Sequence, residues 1–579
     1  METLVKQDPE NKNHSPSDNP LSEDPAAATA IPITQDAQAL PQPASQGWRF
    51  WAVFIPMCVA TLLAAVEATV ASTALPFIVA ELNSGDLYVW IMNGYLLTST
   101  AFQPLYGQFA SVWGRRWLSM FAVGIFTLGS GLSGGASSTV MLIAGRVIQG
   151  IGGGGISLMT QLIISDLVSV RERGKYIGIV FAVFGAGTTA GPVVGGVIVQ
   201  HTSWRWVFWI NLPIGGATLI LQYFFLQVTY RKRFTFKEKL RQIDWFGNFL
   251  LITSVISILI ALSWANTRYP WSSSKVLVPL LVGFAGTVGF HCFEASKFCV
   301  QPTVPPRLFS NRTCAVAMVL TFAQSMLTFW QIYFLPVYFQ STKLVSPVRS
   351  GVLLLPALTA GVPTAVISGA VLTKTGRYKP IHAVGLGLMT LGSGLFTLLD
   401  PSSSLARIIL FQVVAGFGVG CVQTTLLPAA QADIPQSLVA AVTSTWGFMR
   451  SYGSVWGISV PAAIFNARFE NLRGEISDAA IRAQLGYGNG YSHVSNTYIN
   501  GLASPTKQEL ISVYSQSLKL IWQIALGLAG LCFLLVFLEK EVALRKTVES
   551  DFGLKEKKIK DVESGQVAEV PQRSQDETS

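Results

Sequence analysis

The chain has 579 residues, of which 50% are hydrophobic and only 12% charged, with a formal net charge of +10. A soluble domain carries about 25% charged residues, so the composition argues against one. The positive charge also points away from nucleic acid, because the basic residues sit in short segments between apolar runs, as the positive-inside rule requires.

Residues 1–47 are polar, rich in Pro, Ser, Asp and Ala, and lack a sustained apolar pattern. They are expected to form a disordered cytoplasmic tail. No cleavable signal peptide opens the chain, so the first apolar run is expected to direct insertion itself. Crossing the hydrocarbon core takes about 20 apolar residues. Suitable runs stand at 50–76, 87–110, 117–136, 138–165, 176–200, 206–228, 244–266, 275–297, 313–340, 350–372, 381–399, 405–428, 437–465 and 516–538. The expectation is an all-α polytopic membrane protein of about fourteen transmembrane helices.

The loops orient it. Arg115 and Arg116 follow the second run, and Arg171, Arg173 and Lys175 the fourth. RKRFTFKEKLR (231–241) follows the sixth, Lys374, Arg377 and Lys379 the tenth, and Lys540, Arg545 and Lys546 the last. Even-numbered connections and both tails are therefore placed in the cytoplasm, with a long loop at 466–515 outside.

An internal repeat divides the chain. GQFASVWGRR (107–116) resembles GAVLTKTGRY (369–378), and RVIQGIGGGG (146–155) resembles QVVAGFGVGC (412–421). The offsets are 262 and 266 residues, which points to two parallel halves. The expected division is a six-helix bundle at 48–228, a cytoplasmic linker with two extra helices at 229–312, a second bundle at 313–538, and a cytoplasmic tail at 539–579.

Within the runs, two ionisable groups and one glycine pattern carry the chemistry. Glu67 and Arg146 lie inside spans, where a charge is costly and faces the protein interior or a wet cavity. Each has a plainer reading as a polar contact that holds helices together. Arg450, in FMRSYGSVWG, is a third buried ion, read mainly as packing or as lining a cavity. In GAGTTAGPVVGG (185–196), Gly187, Gly191 and Gly195 are spaced i, i+4, i+8 and share one helix face, which lets a neighbouring backbone approach. Pro192 permits a kink, and Gly196 completes the Gly-Pro-x-x-Gly-Gly ending.

GTTAGPVVGG resembles the antiporter motif of proton-driven exporters of the major facilitator superfamily. GQFASVWGRR, carrying Gly107, Gly114, Arg115 and Arg116, resembles that superfamily's loop motif. RVIQGIGGGG resembles its fourth-helix motif, while VEATVASTALP (66–76) and WRWVFWINLPIG (204–215) resemble first- and sixth-helix motifs of drug:proton antiporters. The chain thus resembles the fourteen-span drug:proton antiporter family, in its fungal toxin and multidrug efflux form, over roughly residues 50–540. The resemblance implies two six-helix bundles rocking about a midplane cavity, with Glu67 and Arg146 in proton coupling. Glycine-rich helices four and five would seal against the other half. Two positions depart from the pattern: Ser111 replaces an acidic residue of the loop motif, which puts its latch in doubt, and Glu67 replaces Asp.

Polar and aromatic residues inside spans are candidates to line a cavity. They are Asn93, Gln103, Gln149, Gln161, Gln324, Trp330, Gln331, Gln412, Gln423 and Trp446, with Arg450 beside them. Any one of them also reads as an interhelical hydrogen bond. Gly150, Gly152 and Gly155 fit a dinucleotide-loop spacing, but no strand precedes them. The cysteines and histidines show no metal-binding or disulfide spacing. The expectation is a proton antiporter that uses no cofactor or metal, sits in the plasma membrane as a monomer, and exports a small, mostly apolar toxin, metabolite or drug. An importer or vacuolar carrier of amino acids or siderophores, a non-transporting sensor and, more weakly, an enzyme are the alternatives.

Overall fold

The computed structural model describes residues 47–82, 87–230, 235–265, 269–299, 301–486, 490–491, 493–545 and 552–554. The tail expected at 1–47 lies outside these except for Gly47, as do residues 231–234 of the basic segment and most of the tail beyond 545.

Helices α1 (Trp48–Leu82), α2 (Tyr88–Ala101), α3 (Gln103–Trp113), α4 (Arg115–Gly134), α5 (Thr139–Leu167), α6 (Val170–His201), α7 (Trp206–Trp209) and α8 (Asn211–Phe225) form the first half. A short helix α9 (Phe236–Arg241) leads into an inserted pair, α10 (Trp245–Trp264) and α11 (Ser274–Glu294). The second half begins with α12 (Arg307–Ser310) and continues through α13 (Arg312–Ser341), α14 (Pro347–Thr375), α15 (Lys379–Phe396), α16 (Leu405–Gln423), α17 (Leu426–Gln431) and α18 (Val439–Leu472). After α19 (Ala479–Gln484) and α20 (Asn496–Asn500), α21 (Thr506–Val536) closes it. A three-residue antiparallel pair joins Val228–Tyr230 to Phe552–Leu554.

Local chemistry sets these boundaries. Ser138, Asp244, Asn311 and Ser404 cap the starts of α5, α10, α13 and α16 by accepting a backbone N–H. Gly114 (φ 85°) turns the chain between α3 and α4, and Gly376 (φ 69°) ends α14. Both need the left-handed region that glycine adopts without strain. They lie 262 residues apart, at the repeat's own offset.

Among the described residues, eleven helical segments are long and apolar enough to cross a membrane. The other three expected spans are helical too, and each falls short for a visible reason. The second breaks at Phe102, because Pro104 has no N–H for the carbonyl four residues back. The eleventh, α15, has only 18 residues, so its polar first turn with Lys379 and His382 counts against the apolar remainder. The thirteenth, α18, carries Thr443, Ser444, Thr445, Arg450, Ser451 and Ser454, which face the seam between the halves or its neighbours. The chain is a multi-pass helical membrane protein.

One boundary needs correction. The connection expected at 466–515 spans only 473–505, because α18 runs on to Leu472 and α21 starts at Thr506. At 1.5 Å per residue, the 34-residue α18 is about 51 Å long. Apolar runs mark the hydrocarbon core, about 30 Å thick, and say nothing of helix continuing beyond it. The connection packs back through a hydrogen bond from the Tyr514 hydroxyl to the Gly490 carbonyl at 2.7 Å.

Candidate functional site

Glu67 stands midway along α1 and Arg146 two turns into α5, and both side chains are fully buried. They form a salt bridge through Arg146 Nη1 and Glu67 Oε1. Arg146 Nε donates to the Ile91 carbonyl (3.0 Å) and Nη1 also to Gln149 Oε1 (2.7 Å). Asn211 Nδ2 donates to the other Glu67 oxygen. Gln149 Nε2 reaches Ser130 Oγ at 2.6 Å. The guanidinium lies 4.7 Å from the Tyr95 ring centre and 5.7 Å from that of Phe208. Six helices thus meet around one ion pair: α1, α2, α4, α5, α7 and α8. Asn211, Ser130 and Tyr95 are not singled out by the sequence reading, although Asn211 lies in the quoted WINLPIG.

A cavity of about 110 Å³ lies beside this cluster, between the two halves. Its wall includes Tyr95, Gln103, Phe184, Ser325, Phe329 and Arg450. Tyr95 belongs to both places, standing between the cavity and the Glu67–Arg146 pair. Gln103 Nε2 donates to Ser451 Oγ at 2.8 Å, so α3 and α18 bond across the seam.

Of the residues expected to line a cavity, Gln103 and Arg450 stand in the wall of this one. Asn93 bonds Ser263 of the inserted pair. Gln149 is drawn into the Arg146 cluster. Gln161 lies one turn past Ser157, towards the end carrying the basic loops, and Gln423 is half-buried in the last turn of α16. Gln324 donates to Thr328 Oγ1 at 3.1 Å, and Gln412 to the Leu353 carbonyl at 2.9 Å. Trp330 and Trp446 are buried in a core cluster shared by the two halves, and Gln331 is buried outside the cavity wall. Being polar or aromatic inside a span does not by itself place a residue in this wall, because one helix turn carries side chains in every direction. Phe329 faces the cavity while Trp330, 100° further round, does not.

The glycine stripe also packs differently from expectation. A side chain at Gly187 would meet Ala65 Cβ at 2.8 Å and one at Gly191 the Val66 carbonyl at 2.9 Å. The motif therefore seats α6 on α1, inside its own half, while Gly196 has open space around it. Gly195 is buried, and Pro192 lies within α6 but its side chain is outside those described. The glycines of α5 likewise meet α2, α3 and α4, not the second half. The seam with the second half uses the other face of α6. There Gly174 and Gly178 approach Gly369, Ala365 and Val366 of α14. Arg171 Nε donates to the Thr373 carbonyl (2.6 Å) and Arg173 Nη1 to Gln431 Oε1 (2.6 Å). These bonds lie at the end carrying the basic loops.

At that end Gly107 fits against Ser444 of α18. Arg115 pairs with Asp166 (2.7 Å), so its counter-charge comes from the end of α5, and Ser111 only bonds its own helix. Arg116 donates to the Tyr223 carbonyl and lies over the rings of Trp117 and Tyr223. Gln108 donates to the Gln301 carbonyl (2.9 Å) and accepts from Asn248 (2.8 Å) and from the Asp244 amide (3.1 Å), tying the loop motif to the inserted pair.

The Major Facilitator Superfamily profile matches residues 57–458. The chain is 45% identical over 538 residues to the MFS-type transporter gkaD of Penicillium citrinum, covering 93% of this chain and 92% of that protein. It is 44% identical over 548 residues to the MFS-type efflux pump LUC4 of a Fusarium species, covering 94% of each. It is 45% identical over 529 residues to the efflux pump FUS6 of Gibberella fujikuroi, covering 91% of this chain and 95% of that one. The proton:xylose symporter XylE, at 14% identity and a TM-score of 0.53, covers 86% of this chain with 98% of its own and shows the shared fold. The buried helical architecture, the two halves and these similarities agree: the chain belongs to the major facilitator superfamily, a family of transporters and not of enzymes.

Proposed function

We propose that this protein is a proton-coupled antiporter that exports a small, mostly apolar compound across the plasma membrane, with both termini in the cytoplasm. The observation that carries the reading is the buried Glu67–Arg146 pair, separated from the interhalf cavity by Tyr95. The names of its relatives, efflux pumps among them, support the outward direction. No cofactor enters the cycle. The proton gradient supplies the work, at about 2.3 kcal/mol per charge for each 100 mV of potential.

The geometry suggests the coupling. An acid that loses its charge on taking a proton no longer holds an arginine by Coulomb attraction, and in a dry interior that attraction is large. Protonated Glu67 would release α1 from α5 while Arg146 kept Gln149, Ile91 and the two rings. α1 carries α6 through the Gly187–Gly191 contact, and α6 is the helix clamped to α14 at the cytoplasmic seam. Proton entry would thus bias opening of that seam, where Arg171, Arg173 and Gln103 bond across. Among the described residues the other buried acids are occupied: Asp166 holds Arg115, Glu294 accepts from the Thr303 and Val304 amides, and Glu539 pairs with His382.

The test uses inside-out vesicles under an imposed pH gradient and a panel of fluorescent apolar compounds. An antiporter accumulates at least one and dissipates the gradient as it does so. Vesicles that do neither across the panel refute the reading in favour of a non-transporting sensor.

A further inference from the structure

Arg450 is chemically incomplete. Its guanidinium lies 4.9 Å from the ring centre of Phe181, contributed by α6 of the other half, and 5.6 Å from that of Trp446. Rings cover the faces of a guanidinium; they do not serve the N–H donors that point outward in its plane. Among the described residues Nε is buried with no hydrogen-bond acceptor, and no ion pair reaches Arg450. The cavity it lines holds hydroxyls, an amide and apolar side chains, and no aspartate or glutamate. The nearest acid of the coupling cluster, Glu67, is committed to Arg146 and Asn211. A half-buried cation with a buried, unserved N–H and no anion beside it is costly unless a partner arrives.

We infer that the partner is the cargo, and that this site takes amphipathic organic acids, whose carboxylate is bound by Arg450. This rests on the exporter reading for the site's place in transport and sharpens it by naming the substrate class. A carboxylate presents two oxygens to the planar fork of an arginine, the pairing with the best geometry and strength available to it. Phe184 and Phe329 in the same wall offer apolar surface to the rest of the molecule. The cavity's volume of about 110 Å³ suits an acid head group and a few carbons, whereas a drug-sized ligand takes about 300–1,000 Å³. The head group is therefore the part this conformation admits, and the seam must part further for the body.

The experiment compares pyrenebutyrate with its neutral analogue pyrenebutanamide on the full-length protein in lipid nanodiscs, reading affinity by fluorescence. The wild type should prefer the acid by about ten-fold or more, the yield of one charge-assisted pair. Arg450→Gln should bring the ratio of the two affinities close to one, and Arg450→Lys should keep part of the preference, having the charge without the fork. A monodisperse Arg450→Gln protein that still prefers the acid overturns the assignment, as does a wild type that binds the two probes equally or neither. Flux under a pH gradient is measured separately in vesicles. Acid-selective binding without gradient-driven flux overturns the exporter reading and leaves the anion site standing.

Discussion

Arg146 and Gln412 stand at matching places in the two halves, 266 residues apart. Each sends a side-chain N–H to a backbone carbonyl of the second span before its own. Arg146 reaches Ile91 at 3.0 Å, and Gln412 reaches Leu353 at 2.9 Å. The two carbonyls are themselves 262 residues apart. The repeat therefore preserves a hydrogen bond that ties two helices, and the charge is a separate addition. In the first half the donor is a cation with a carboxylate beside it; in the second, α13 holds the place of α1 and contains no acid. At this pair of positions, what differs between the halves is what a proton can change.

The sharpest way to break this comparison is to erase the difference. Glu67→Gln keeps an acceptor for Arg146 but cannot take a proton, and gradient-driven export should fall to background while Glu67→Asp retains part. Removing one partner of a buried pair costs about 3–5 kcal/mol when nothing replaces it. Glu67→Gln should therefore lower thermal stability in detergent, by less than that because the amide oxygen still accepts. Combining it with Arg146→Gln makes the first half resemble the second. The double variant should regain stability and remain uncoupled. Gradient-driven flux in the double variant would show that the charged cluster is scaffold only.

A second contrast lies along α6. Gly191→Leu drives a side chain into Thr69 and the Val66 carbonyl, so it should abolish transport while insertion and surface abundance stay normal. Gly196→Leu, five residues on in the same motif, meets open space and should transport within about two-fold of wild type, as surface substitutions that touch nothing do. Equal loss in both would mean that the motif works through helix flexibility, not through the α1 contact.

The fold was legible because each part of it leaves a mark in one dimension. Apolar length reported the spans, and the Gly-x6-Gly-Arg pair the repeat. Glu67 and Arg146 were legible for the same reason, since a charge in a span has few reasons to be there. Beyond Gln103 and Arg450, the cavity wall was not. Ser99, Ser325 and Ser451 are ordinary in any helix, and the distinction between Phe329 and Trp330 is an angle about a helix axis fixed by packing. The seam escaped for a related reason: Gly174 and Gly178 carry no motif, and their face of α6 is defined only by α14 opposite.

Two substitutions in the second half test whether its hydrogen bond is scaffold alone, and Gln412→Ala should have the smallest effect of all. Gln412→Arg copies the first half's cation into a place with no acid on α13, so it buries an unpaired charge. It should cost about 3–5 kcal/mol in stability and lower the folded yield. Gln412→Ala removes only one neutral hydrogen bond, worth about 1 kcal/mol. The Leu353 carbonyl keeps its place in α14, and neither the charged cluster nor the cavity wall is touched. Thermal unfolding should therefore shift by a few degrees at most, with proton-driven flux per folded molecule unchanged. A coupling defect in Gln412→Ala, at normal stability, would mean that the neutral half takes part in the proton cycle after all, and that the asymmetry between Arg146 and Gln412 is one of degree.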